Sequence, residues 1–258
     1  MKKISLLTIT LAMLSCTLFF VYSCQKEDTA NDEIPAGWKS EQQIISVDGK
    51  DYNVKVAGDP NGRKMKYINA PKEVLDFIKK YDSTIVPHIV HFEKETKVFY
   101  YKDYADFKAH VQFQEGNKNQ LKGYNEGRTI SWEHGENNGW SLQGNCTDIW
   151  SSYFNNTNWG WGSRNNYVGN NYNDRISSIT IQKYSSNQPI TYIGWEHAGA
   201  GNGTPVIITK ISSFNYNTTN LWAVGMQGSF WWWTTWNDEI SSFETYSTGV
   251  IINGTLYN

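Results

Sequence analysis

The sequence predicts an all-β sandwich over residues 128–258, preceded by a small α+β region, on three observations. Two landmarks recur in the same order. Trp132-Glu133-His134 returns as Trp195-Glu196-His197, and Asn173-Asp174-Arg175-Ile176-Ser177-Ser178 returns as Asn237-Asp238-Glu239-Ile240-Ser241-Ser242. Their displacements, 63 and 64 residues, mark an internally duplicated supersecondary unit. Period-2 runs such as Thr129-Ile130-Ser131-Trp132 and Ser178-Ile179-Thr180-Ile181 have the alternation of strands. From Arg128 onward the chain is dominated by Trp, Tyr, Asn, Gly, Ser and Thr, the mixture of aromatic core formers and turn formers expected of a sandwich. Two duplicated halves are expected to supply its two sheets.

The amino terminus has a basic start at Lys2-Lys3, an apolar run over residues 4–22 and then Ser23-Cys24. These are the parts of an export signal. The stretch resembles a bacterial lipoprotein signal peptide over residues 1–23, in which Cys24 becomes lipidated and starts a tether at 24–40. Cys24 suits this better than Cys16, because a polar stretch follows it. An uncleaved membrane helix is the other reading, since about 19 apolar residues just span a bilayer. Gln25-Lys26-Glu27-Asp28 resembles the acidic export tag of Bacteroidota lipoproteins. The resemblance implies anchoring to the outer membrane, with display at the cell surface and a periplasmic orientation both open.

Next comes the α+β region, residues 41–115. Ile45-Ser46-Val47 and Tyr52-Asn53-Val54 alternate about Asp48-Gly49, a two-residue hairpin signal. Pro71 opens a run that sets Val74, Phe77, Ile78 and Tyr81 on one helical face. Residues 85–91 and 97–101 form a second expected hairpin, and Asp103 caps an expected helix carrying Phe107 and Val111. His88 and His91, three apart on a strand, point to opposite faces and cannot share a metal. Residues 116–127 are polar and Gly-, Asn- and Lys-rich, and are expected to be a linker.

Composition narrows the function. The formal charge is −2, or −4 without Lys2 and Lys3, and no basic stripe exists to neutralise phosphates. Nucleic acid is therefore not an expected partner. Cys146 is the one thiol left once Cys16 and Cys24 are accounted for, so an intramolecular disulfide is excluded in the mature chain. The Glu-His pairs occur in both halves and follow the architecture, and no nucleophile elbow, His-Glu-x-x-His or phosphate loop is present. A non-enzyme is expected.

The repeated bend carries the chemistry. Asn-Asp favours a turn, and the serines begin a strand whose Ile179, Ile181 and Phe243 can face the core. Such a bend gathers a carboxylate, a hydroxyl and a backbone carbonyl, hard oxygen donors suited to Ca²⁺. With one carboxylate per bend the affinity should be modest, a dissociation constant of roughly 10⁻⁶ to 10⁻³ M.

An aromatic-Glu-His strand followed by an Asn/Asp-Asn/Asp-x-x-Ser/Thr-Ser turn resembles the calcium-binding βγ-crystallin domain of microbes, built from two Greek-key motifs. The resemblance covers residues 128–250 and implies up to two calcium ions, each held by parts of both motifs. Ser177 and Ser241 would give side-chain oxygens, and Arg175 and Glu239 main-chain carbonyls. Asp174 and Asp238 would give carboxylates, and Glu133 and Glu196 carbonyls from a hairpin over each site. Asn173 and Asn237 would stabilise the turns. Two departures stand out. The family's second aromatic is replaced by Asn137 and Ala200, and its glycine, present as Gly139, is displaced to Gly203 in the second half. The bends could also be turns alone, without metal.

The aromatic excess supports further readings. Trp150, Tyr153, Phe154, Trp159 and Trp161 crowd one expected loop, and Trp231-Trp232-Trp233 precedes the second bend. Alternation along a strand would leave at least one of the triple outside. Trp159, Trp161 and Trp232 are thus candidates for stacking on glycan or seating a protein partner, as in a surface adhesin. They could equally wedge long loops onto the sandwich. A proteinase inhibitor or antimicrobial effector is a third reading, since related folds are used so.

Overall fold

Two adjacent residues of positive φ, Asp48 (48°) and Gly49 (76°), close the first hairpin, joining β1 (Lys39–Val47) to β2 (Lys50–Gly58). A two-residue I′ turn requires that conformation at both positions. The computed structural model describes residues 33–114, 127–134, 138–145, 164–165, 168, 175–183, 189–199, 201, 203–211, 216–229, 232–237, 239–247 and 249–257. The expected signal peptide, Cys24, most of the expected tether, Cys146 and nearly all of the expected linker lie outside them. Residues 34–258 form one compact unit.

The first segment continues with β3 (Lys64–Ile68), α1 (Lys72–Tyr81), β4 (Val86–His91), β5 (Thr96–Tyr101), α2 (Tyr104–His110) and β6 (Val111–Phe113). Helix α1 buries Val74, Phe77 and Ile78, with Glu73 in its first turn and Lys79 and Lys80 in its last, matching the helix dipole. Asp103 caps α2 by accepting the Asp106 amide at 2.8 Å. Val111, expected on that helix, instead leaves it in extended conformation and starts β6.

The later segment supplies β7 (Gly127–His134), β8 (Asn138–Asn145), β9 (Arg164–Asn165), β10 (Ser178–Lys183), β11 (Ile190–Trp195), β12 (Pro205–Lys210) and β13 (Tyr216–Asn220). A 3-10 turn at Leu221–Ala223 precedes β14 (Gly225–Ser229), β15 (Trp232–Thr235), β16 (Ser242–Ser247), β17 (Val250–Ile252) and β18 (Thr255–Tyr257). The chain is mostly β, with two short α-helices among the described residues.

Two four-strand sets mirror each other. One sheet runs β8-β7-β10-β13, and the run β12-β11-β16-β9 ends an eleven-stranded sheet. Each set takes three strands from one half of the repeat and one from the other: β13 pairs with β10, and β9 with β16. Register repeats as well, with Ser178 opposite Trp132 and Ser242 opposite Trp195. The four-stranded sheet faces the large one across a core holding Ile179, Ile181, Tyr192, Val206, Ile208 and Phe243.

The expected boundary at 116–127 separates segments of chain but not sheets. Strand β4 runs parallel to β12, with His88 opposite Ile207 and His91 opposite Lys210. The order β14-β15-β3-β2-β1-β5-β4 thereby continues into the second half's set. The α+β region extends the large sheet, and its pairing covers the edge that β12 would otherwise leave open. Its other face is covered by α2 and the three-stranded sheet β18-β17-β6, where Phe107, Val111 and Val250 share a second core with Ile193, Trp195 and Ile207. Covered on both faces, β4, β11 and β12 are buried at every position instead of alternating.

Tyr67 and Tyr100 share a buried hydroxyl-hydroxyl hydrogen bond of 2.7 Å, and burial pushes the Tyr100 hydroxyl up to about 12. A Cβ on Gly225 would come within 2.9 Å of the Tyr67 hydroxyl and 3.3 Å of the Met65 sulfur. Gly225→Ala is therefore expected to cost about 1–3 kcal/mol of stability, read as a lower urea midpoint, by displacing a ring held at both ends. An unchanged midpoint would show that the pair yields freely.

Candidate functional site

The two bends are built alike. The Ser177 amide donates to the Trp132 carbonyl at 2.8 Å, and the Ser241 amide to the Trp195 carbonyl at 2.9 Å. Each bend is then met by the opposite half of the repeat. The Leu221 amide donates to the Ser177 carbonyl at 3.0 Å, and the Val168 amide to the Ser241 carbonyl at 2.9 Å. Ile176 and Ile240, equivalent by the repeat, are both fully buried and fasten each bend to the core. Ile179, Ile181 and Phe243 are buried below, as their alternation predicts.

In the first half the Ser177 hydroxyl donates to the Glu133 carbonyl at 2.5 Å. Both are expected ligand atoms, and the fold brings them into contact over 44 residues of chain. They are hard oxygens, the kind of donor a calcium ion accepts at about 2.3–2.6 Å. A cation beside them would replace the hydroxyl proton as the partner of the carbonyl. The Arg175 guanidinium also pairs with the Glu133 carboxylate, with the arginine half exposed and the glutamate mostly covered.

In the second half a corresponding contact is shifted by one residue on each side. The Ser242 hydroxyl donates to the His197 carbonyl at 2.7 Å. Ser241 is buried, while Glu196 and Glu239 are half-buried. The loop after Glu196 turns at Gly203, whose φ is 78°. A Cβ there would lie 3.1 Å from the Glu196 Cβ, so the displaced glycine lets the loop fold back onto Glu196.

Asn237, expected to stabilise its turn, bonds to the amino-terminal region and to β15. Its side-chain amide donates to the Asn61 carbonyl at 3.3 Å, and its backbone N–H to the Thr235 hydroxyl at 3.2 Å. Thr235 in turn donates to the Gly62 carbonyl at 2.5 Å. Asn173, Asp174 and Asp238 lie outside the described residues, as do Trp159 and Trp161; Trp232 falls in β15. Among the described residues no three His, Cys, Asp or Glu side chains converge. The donors brought together are hydroxyl and main-chain oxygens.

Sequence reasoning missed the Arg175 side chain, Ser242, His197 and the 59–63 loop. Opposite charges at Glu133 and Arg175, on two landmarks that the resemblance implies are neighbours, were a usable signal for the first. The loop contacts had none.

His88 and His91 point to opposite faces of β4, as their spacing requires. His88 Nε2 meets the Thr209 hydroxyl at 2.8 Å amid Phe99, Tyr101 and Phe107. The two nitrogens of His91 reach Thr96 at 2.9 Å and Thr219 at 2.7 Å. Burial pushes His88 down to about 3; burial, then the Lys210 charge, pushes His91 to about 4.

Comparison with protein-family models, curated proteins and solved structures yields no match to this chain.

Proposed function

We propose that the repeat is a calcium-binding, βγ-crystallin-like pair of Greek keys in a non-catalytic lipoprotein of the cell envelope. The observation that carries it is the twice-made bend, whose serine amide is bonded to the tryptophan carbonyl in each half, with the Ser177 hydroxyl on the Glu133 carbonyl. The exchange of β9 and β13 between halves supports the Greek-key part, because each bend then belongs to both halves. Calcium would be held by Ser177, the Glu133 carbonyl and Asp238 or Asp174 in one site, and by the counterpart atoms in the other. It would supply a bridge between the halves, stabilising the fold by mass action. The lipid on Cys24 would hold the protein at the outer membrane.

Isothermal titration of the purified protein with CaCl₂ is expected to show up to two sites. Calcium at about one hundred times a site's dissociation constant should add about 2.7 kcal/mol of stability per site. Magnesium, which demands a tighter octahedron, should do far less. No heat and no rise in melting temperature at millimolar calcium would remove the proposal.

A further inference from the structure

The two bends differ most in one residue. Arg175 stands where the second half has Glu239, and its guanidinium is engaged with Glu133. The charged residues of the first half's landmarks, Glu133, Asp174 and Arg175, sum to −1, whereas Glu196, Asp238 and Glu239 sum to −3. Ser177 Oγ and Glu133 O, the described donor pair, belong to the same residues as this ion pair or its neighbours. A cation approaching those oxygens thus meets a glutamate whose charge is already answered.

We propose that Arg175 makes the two calcium sites unequal, acting as a built-in counter-ion that causes the site on the Ser177 and Glu133 oxygens to fill last. This rests on the calcium reading above. The field of a unit charge beside a divalent ion, screened by solvent at a half-exposed site, is enough to change affinity by about tenfold. Arg175 is half exposed, so added salt should narrow the gap between the sites. Arg175 is a positioning residue here, since it acts through Glu133 and through its field.

Calcium titration of the purified full chain, by calorimetry and in parallel by terbium luminescence, tests this. The wild type should bind in two separable steps. Arg175→Gln should tighten the weaker step by about tenfold and leave the tighter one unchanged. Arg175→Lys, which keeps the charge, should preserve most of the gap. Glu133→Gln should weaken the same step further, by freeing the arginine's charge, and guards against a variant that merely loosens the bend. Two equal sites that Arg175→Gln does not alter would overturn the inference while leaving the calcium reading standing. Binding in no form of the protein would overturn both.

Discussion

Lowering the pH from 7 to 5 is expected to remove about 4 kcal/mol of folding stability, through His88 and His91. Unfolded, each takes up its proton near 6.5; folded, His88 does so only at about 3 and His91 at about 4. Their folded values lie below the unfolded ones, so the unfolded chain holds more protons throughout the interval between. Stability is then fully present above 6.5 and is lost as pH falls toward the folded values. Each pH unit costs about 1.4 kcal/mol per histidine, or about 2 kcal/mol apiece at pH 5. That is a large share of the roughly 5–15 kcal/mol that holds a domain folded.

The environment explains why neither ring can simply charge in place. His88 Nδ1 is buried with no hydrogen-bond partner, so its proton would have to be carried among aromatic rings. His91 has hydroxyls on both nitrogens, yet shares its seam with the buried Lys210, itself pushed down to about 8 by burial and then by the Lys183 charge. Glu41, raised by burial, takes up its proton more readily in the folded chain and offsets part of the loss as its own titration is approached. Urea unfolding between pH 7.5 and 5 should show stability falling by about 2.7 kcal/mol per pH unit below 6.5, the slope of two protons. His88→Met should roughly halve that slope. Stability that stays level down to pH 5 would mean that the rings reach water in the native state.

These two histidines sit at the join that sequence reading could not see. Parallel pairing of β4 with β12 links residues more than 110 positions apart and leaves no turn or repeat to announce it. One trace existed: both segments lack polar alternation, as strands covered on both faces do. The hairpin at Asp48-Gly49, α1 and the Asp103 cap were legible because local chemistry sets them. The duplicated bends were legible because a repeat of sequence became a repeat of hydrogen bonds, Ser177 to Trp132 and Ser241 to Trp195. What the repeat hides is divergence. Trp132 is half-buried and its indole N–H reaches Thr180 at 3.0 Å, whereas Trp195 is buried edge-on to Tyr104 at 5.1 Å. Among the described residues the α+β region pairs its strands with the second half's sheet, so equivalent residues meet different neighbours.

Trp236→Ala is expected to cost about 3–5 kcal/mol, the other large effect in this chain. Trp236 is among the largest fully buried side chains and lies directly before Asn237, at the point where the second bend leaves β15. Its amide donates to the Val224 carbonyl at 3.1 Å, and its own carbonyl accepts the Glu239 amide at 3.4 Å, so the backbone on both sides is held. With the backbone fixed, and Thr235 and Asn237 tied to Gly62 and Asn61, the space left by the indole cannot close by collapse of the bend. Trp236→Phe should cost less, because it fills much of the volume and also removes an indole N–H that is buried with no hydrogen-bond partner. Urea unfolding of the two variants beside the wild type checks the order. Equal losses would place the cost in the part of the indole that a phenyl ring does not fill, and a loss below about 1 kcal/mol in Trp236→Ala would mean that the core refills the site. If the repeat holds calcium as proposed, Trp236→Phe should also keep calcium affinity close to wild type while Trp236→Ala lowers it, because this buried side chain lies directly before the bend. Affinity unaffected by either change would mean that the oxygens of the bend are positioned without help from the core beneath them.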